Sequence, residues 1–436
     1  MTSDPAPEAF IPVTRQALIN RLANNAAADG QGGVEACLRI NRLLCLWRHE
    51  RYRRQLTRLR NCYLPFSPDR DTRRVLRFDA AERAAMQREL IDGLTELLTQ
   101  ANYQRLTASD LDAILNENSP YGLALQVDLS EYEEILLFCR GATRETRTRR
   151  SPRSLFLREE SYEVPIYQRL FLLLKLKPRA QRIEELMREE GLDRARAERR
   201  LDRLRRALPD RIADDHIYLK LFRFIPRADL EMLFPNTRVQ LRPFDKLKLG
   251  VTAGGGTVGS VVATATKVTA ATNPLTAAGA LAGLAAVVAR QVGKIISQRN
   301  KYMMVLARNL YFHNLASNRA ALTLLVDRAE EEDVKAAMLL FHFLTRHGPG
   351  PLDLARLARV IETWLEGEFG VRVRFDAPAA LARLQDDGLV DYADGELRRV
   401  LGCDAAADHL QRRWQALLDE QEPGLGRAFE EDPGEV

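Results

Sequence analysis

The sequence predicts an α+β chain: a helical N-terminal region, a mixed antiparallel β middle domain, a Gly/Ala-rich helical hairpin suited to a membrane, and a C-terminal winged-helix-like module. Three observations carry this. Apolar residues recur at helical spacing in the first 120 residues and again after residue 333. Between them, from residue 122 to 224, they alternate or run together with branched and aromatic residues, as strands do. A long stretch after that contains no acid at all. The parts read as 1–120, 121–245, 246–297 for the hairpin, 298–332 for a polar helix leaving it, 333–405 for the module, and 406–436 for a last helix with an acidic tail.

Taken in order, Thr14 to Leu22 and Val34 to Leu59 read as amphipathic helices, the second stopped by Pro65 and Pro68. Ala80 to Tyr103 reads as another, and Thr107 to Asp110 caps a short one through Leu115. Strands follow at Gly122–Leu129, Ile135–Cys139, Ser154–Leu157, Tyr167–Lys175 and Ile217–Phe224, with two surface helices inserted between Arg179 and Arg206. Ile225 to Pro235 reads as a short helix whose Asp229 and Glu231, two residues apart, point to different faces and serve helix-end charge rather than paired-carboxylate chemistry. From Asp333, three helices and a hairpin turning at Ala393-Asp394-Gly395 give the winged-helix pattern. Its third helix carries Asp376, Arg383, Asp386 and Asp387, a net −2 that phosphates repel, so the module is expected to contact protein rather than nucleic acid.

Composition sets the outer limits. With 46% hydrophobic and 29% charged residues the chain is neither mostly disordered, fibrous nor a polytopic transporter. A net charge of +5 is too small for a protein coated by nucleic acid, and any basic site must be local, as in Arg140 to Arg206 with 20 basic against 11 acidic residues. That excess reads as a solvated face or as a site for phosphate-bearing lipid or nucleic acid. The 56 Arg against nine Lys fit a GC-rich, bacterial coding sequence. Five Cys without a CxxC pair argue against a disulfide framework or a zinc site and for a reducing side of the membrane. The opening MTSDPAPEAFIPVTRQ lacks the pattern of a secretory signal.

From Lys246 to Val326 there is no Asp or Glu. Leu249–Thr266 and Leu275–Ala289 are uncharged runs that as helices would span roughly 27 and 22 Å against a hydrocarbon core of about 30 Å. Gly250/Gly254, Gly255/Gly259 and Gly279/Gly283 form GxxxG pairs, the spacing that lets helix backbones touch in lipid. Lys246 and Lys248 flank one end and Arg290 and Lys294 the other, which places both ends on the cytosolic side and the turn Asn273-Pro274 at the far tip. A hairpin buried within protein competes with this reading. Gly254 to Gly259 also spells GxGxxG, but no ribose-binding acid follows about 20 residues on, and Gly259-Ser260 lacks the lysine of a P-loop.

The runs Gln298–Tyr302, Asn309–Arg319, Leu325–Glu331 and Lys335-Ala336, with Val164–Leu170, Phe138–Gly141, Ile225–Pro235 and Phe10–Val13, resemble the transmembrane protein 143-like family, domain of unknown function 3754, over roughly residues 10 to 390. The resemblance implies two membrane segments in the Gly/Ala region, organelle placement in eukaryotic members and no established activity; the arginine-rich insertion at Arg179 to Arg206 departs from it. Asn300, Tyr311, Asn314 and Asn318 read as one face of a helix leaving the hairpin, with Tyr302 and Tyr311 as interfacial anchors.

No HExxH, GxSxG or Cys/His pairing appears, so no catalytic, cofactor or metal residues are assigned and an enzyme is not expected. The leading expectation is a non-enzymatic protein of the inner membrane, its bulk cytoplasmic, meeting anionic headgroups through the hairpin and a protein partner or second copy through its module. The alternatives are a membrane-perturbing, pore-forming effector and a soluble cytosolic scaffold.

Overall fold

The computed structural model describes residues 7–28, 33–69, 78–107, 109–111, 124–150, 159–206, 208, 212–235, 238–240 and 313–419. The hairpin with Gly250, Gly254, Gly255, Gly259, Gly279, Gly283, Asn273, Pro274, Lys246, Lys248, Arg290 and Lys294, the strand at 154–157 and the acidic tail lie outside them.

Helices α1 (Arg15–Ala28), α2 (Val34–Tyr63) and α3 (Ala80–Gln100) form where the periodicity placed them. Asp79 starts α3 with a capping box, its carboxylate accepting from the Glu82 amide at 2.8 Å. A turn with Asn102 at φ +60° ends that helix before Tyr103 and leads into β1 (Gln104–Arg105), rather than letting it run to Tyr103. After β2 (Ala124–Gln126) and a 3-10 turn at Leu129–Glu131 comes a long hairpin, β3 (Tyr132–Arg150) and β4 (Glu159–Leu176), paired from Tyr132↔Leu176 to Arg150↔Glu159. The arginine-rich insertion forms α4 (Arg179–Glu190) and α5 (Arg194–Arg205), packed on each other through Ile183, Leu186, Ala197 and Leu201. Next comes β5 (Ile217–Pro226). The expected helix at Ile225–Pro235 is instead a 3-10 segment, Arg227–Leu233, because Ile225 and Pro226 finish the strand.

Strand β6 (Arg238–Gln240) pairs with β2 in a separate two-stranded sheet, and β7 (Asn314–Ser317) adds to β5 to complete an antiparallel sheet of order β1-β3-β4-β5-β7. The helical reading of Asn314 and Asn318 is corrected here. Asn314 lies in the edge strand, and Asn318 sits at φ +52°, its amide N donating to Leu219 O at 2.8 Å and its side chain accepting from Leu219 N at 3.3 Å. Those sheet-edge bonds, with Asn318 Nδ2 donating to Asp69 at 3.0 Å, outweigh the helical pattern of amides.

Helix α6 (Arg319–His347) then runs unbroken across the boundary read at 332/333. The chain ends in β8 (Gly350–Pro351), α7 (Leu354–Phe369), α8 (Ala377–Asp386), β9 (Val390–Ala393), β10 (Glu396–Val400) and α9 (Cys403–Asp419), with a small sheet of order β8-β10-β9.

Helices α2 and α6 lie antiparallel and serve two cores. Ile40 and Leu44 of α2 meet Met338, Leu340 and Phe341 of α6 in a core shared with α1 and α7–α9. Farther along, Leu56, Leu59 and Tyr63 meet Leu322, Leu325 and Ala329 over one face of the large sheet, with Leu90 and Leu94 of α3. The opposite sheet face, with Leu137, Leu170 and Leu172, is covered by Leu111, Leu230 and Phe234.

Candidate functional site

The stretch 241–312 is flanked by β6, in the two-stranded sheet with β2, and by β7, the edge strand of the five-stranded sheet. The return is firmly held. His313 Nδ1 donates to Arg223 O at 2.8 Å, Lys220 Nζ donates to Ser317 Oγ at 2.8 Å, and Asn318 ties the strand end to β5. Burial lowers the Lys220 pKa, with Asp69 opposing it. The last part of the acid-free sequence, from residue 313 to 326, is thus body: the hydrogen-bonded strand β7 and the start of α6.

Two buried ionic clusters lock the N-terminal segment and the C-terminal helices to this body. Arg48 of α2, fully buried, donates to the Asp387 carboxylate and to Arg383 O at 3.3 Å, and approaches Asp333 of α6 at 3.4 Å. Arg383 Nε lies 3.0 Å from Asp333, and Trp47 Nε1 donates to Asp387 at 2.9 Å. Desolvation raises the Asp387 pKa, and the Arg48 charge opposes it. The two arginines and two aspartates cancel, which is the condition for keeping such charges out of water.

In the second cluster Glu332 of α6 accepts from Arg140 of β3 at 3.2 Å, from Lys335 at 2.7 Å and from the Ile11 amide at 2.9 Å. Lys335 Nζ also donates to Ile11 O at 2.6 Å and Val13 O at 3.3 Å, while Glu8 forms a parallel bridge with Val373. Residues 8–13 are thus a strap between sheet, long helix and C-terminal part. Sequence reasoning missed both clusters. The signal was there in Glu332, Asp333 and Lys335, charges spaced so that they fall on the buried faces of an otherwise apolar helix.

Beside the first core lies a cavity of about 440 Å³ lined by Cys37, Ile40, Asn41, Met338, His342 and Cys403 among others. Burial pushes the Cys37 thiol up to about 11, with Cys403 adding to the rise and Asn41 opposing it, and burial raises Cys403 as well. Thiols held protonated at neutral pH are poor nucleophiles. Among the described residues no group of three or more His, Cys, Asp or Glu is placed to hold a metal ion, and no helix is long and apolar enough to cross a membrane.

A family model described as a protein of unknown function, DUF3754, matches residues 132–320. The match begins at the first residue of β3 and ends just past Asn318, so it takes in the large strands, residues 241–312 and β7, and leaves out the N-terminal helices and the C-terminal part. No solved structure matches the chain.

Proposed function

We propose that this chain is a non-enzymatic, membrane-associated protein in which residues 249–289 form a Gly-rich hairpin anchored in a bilayer containing anionic lipid, with the body on the cytosolic face of a bacterial inner membrane. The observation that carries the reading is the acid-free run 246–312, flanked by β6 before it and by β7, at a sheet edge, after it. A linker between domains needs no such return. The wider resemblance to the transmembrane protein 143-like family supports the same reading.

The C-terminal part is read as a winged-helix-like protein-docking module, supported by its order helix, strand, two helices and hairpin with the sheet order β8-β10-β9. Its α8 is turned to internal use. Arg383 and Asp387, on the helix that would enter a DNA groove, are bound to Asp333 and Arg48 at the seam. That arrangement favours a protein partner or a second copy over nucleic acid.

Flotation on vesicles containing phosphatidylglycerol tests the anchor. The full chain is expected to float and to remain bound through a wash at about 1 M salt, since hydrophobic insertion is not screened as surface attraction is. A variant with 249–289 replaced by a short Gly-Ser linker is expected to stay at the bottom. A full chain that stays at the bottom favours the soluble scaffold, and a linker variant that still floats after the wash places the anchor elsewhere.

A further inference from the structure

Helix α2 presents Cys37, Ile40, Asn41 and Leu44 along one buried stripe, three and four residues apart. Three of them suit an apolar interior. Asn41 does not, yet at 3% exposure its amide is as far from solvent as its neighbours. Its Nδ2 donates to Cys37 Sγ at 3.5 Å, one turn back, while among the described residues nothing donates to its Oδ1. A buried carbonyl oxygen without a donor weakens a fold, so such an oxygen calls for an explanation.

Asn41 lines the cavity of about 440 Å³ between α2, the C-terminal end of α6 and the start of α9. The floor of that cavity, with Ile40, Met338, Phe341 and His342 beside Asn41, is buried, and its rim, at Arg346 and Asp404, is exposed. The walls are fixed by the protein's own bonds. Gly348, at φ +71°, closes α6 with its amide on Leu344 O at 3.0 Å, Leu401 N donates to Leu389 O at 3.0 Å, and Arg39 of α2 holds Asp408 of α9 at 2.7 Å. The space is therefore preformed, as small-molecule pockets are.

Charge narrows what the pocket takes. Its floor has no carboxylate, lysine or arginine, and burial pushes the Cys37 thiol up to about 11, so that thiol stays uncharged at neutral pH. The one arginine and the one aspartate of the lining, Arg346 and Asp404, stand at the rim with opposite signs. An ionic head group on the floor would lose its hydration without gaining a counter-charge. A neutral group with a hydrogen to donate supplies what Asn41 Oδ1 lacks.

We propose that this cavity binds a small uncharged molecule whose hydroxyl group donates to Asn41 Oδ1 and whose apolar body lies against Ile40, Met338 and Phe341. A hydroxyl brings one hydrogen to one open acceptor. A carboxamide would bring two N–H donors and a carbonyl to the same point, and a carboxylate would bring a charge and no donor. The volume falls within the range of small-molecule pockets, and the mix of an apolar lining with one placed polar group is typical of them. The site lies between α2, α6 and α9 and does not depend on the hairpin anchor.

The test is calorimetric titration of the full chain with 4-butylphenol and with its methyl ether, 4-butylanisole, which has the same apolar body and no hydrogen to donate. Wild-type protein is expected to bind the phenol at least tenfold more tightly than the ether. In Asn41→Leu, close in volume and without the carbonyl, that preference is expected to vanish while the ether still binds. Without ligand, Asn41→Leu is expected to melt at or above the wild-type temperature, because it removes an unanswered oxygen from the interior. Ala405→Trp, at an exposed position of the lining, is expected to weaken both probes at least tenfold by filling the mouth while leaving the core untouched. Binding of neither probe by wild type at about 1 mM, equal phenol affinity in wild type and Asn41→Leu, a lower melting temperature for ligand-free Asn41→Leu, or undiminished phenol binding by Ala405→Trp overturns the proposal.

Discussion

At the seam, Arg48 lies between two aspartates; in the sheet, Arg169 lies between two arginines. Both are drawn out of water, Arg48 completely and Arg169 in part. The seam closes on itself: Asp333, Asp387 and Arg383 complete a neutral set, and Trp47 takes up a remaining carboxylate oxygen. In the row of directly opposed Arg140, Arg169 and Arg223, Arg140 is paired with Glu332 at 3.2 Å, whereas Arg169 forms no ion pair among the described residues. Charges that cancel internally cost the fold little, and a charge that does not cancel, such as Arg169, costs it stability.

The largest expected effect follows from removing one member of the neutral set. Arg48→Met should lose roughly 3–5 kcal/mol in urea unfolding, because two buried aspartates are left facing each other's charge. Adding Asp387→Leu should recover part of that loss, since an apolar pair of similar volume needs no counter-charge. If Arg48→Met alone is neutral, the seam is not a closed charge set and the contrast with the row fails.

Salt gives the next, smaller difference. Raising chloride from about 0.05 to 0.5 M shortens the Debye length from about 14 to about 4 Å, which should stabilise the wild type by roughly 0.5 kcal/mol by screening Arg169 from its arginine neighbours. Arg169→Met should lose that salt-dependent gain, whereas the penalty of Arg48→Met should be the same at both salt concentrations. A penalty at Arg48 that shrinks with salt would mean that the seam is wet.

The same contrast explains what was legible in the sequence. Local periodicity revealed α2, α4 and α5, the antiparallel strands and the helix-strand order after Asp333, because each rests on neighbours within a few residues. Spatial assembly was not legible. The N-terminal helix α2 shares a core with the C-terminal helices, and Ile11 and Val13 are held by Lys335, contacts that no local pattern encodes. The strand Asn314–Ser317 was hidden because its amides also fit a helical face, and only the open edge of β5 decides between them. The arginine row depends on the register of three strands: Arg140, Arg169 and Arg223 are unremarkable among 56 arginines until pairing sets them opposite one another. The hairpin residues from Lys246 to Lys294 remain a reading of sequence alone.

The smallest effect on stability should come from Phe224, at φ +50° with its ring 5.7 Å from the Arg169 guanidinium carbon, and it separates strain from packing. Asn tolerates positive φ better than Phe, so Phe224→Asn should recover about 1 kcal/mol of backbone strain. It also removes the ring beside Arg169, a contact worth about 0.5–1 kcal/mol at an exposed site. The two nearly cancel, and unfolding stability should change by less than about 0.5 kcal/mol. Phe138, one row inward on β3 and 2% exposed, has no strain to release, so Phe138→Asn should cost at least 3 kcal/mol, or roughly the price of a Phe→Ala core truncation. A Phe224→Asn protein that gains the full released strain, about 1 kcal/mol, would show that the ring beside Arg169 contributes nothing to stability.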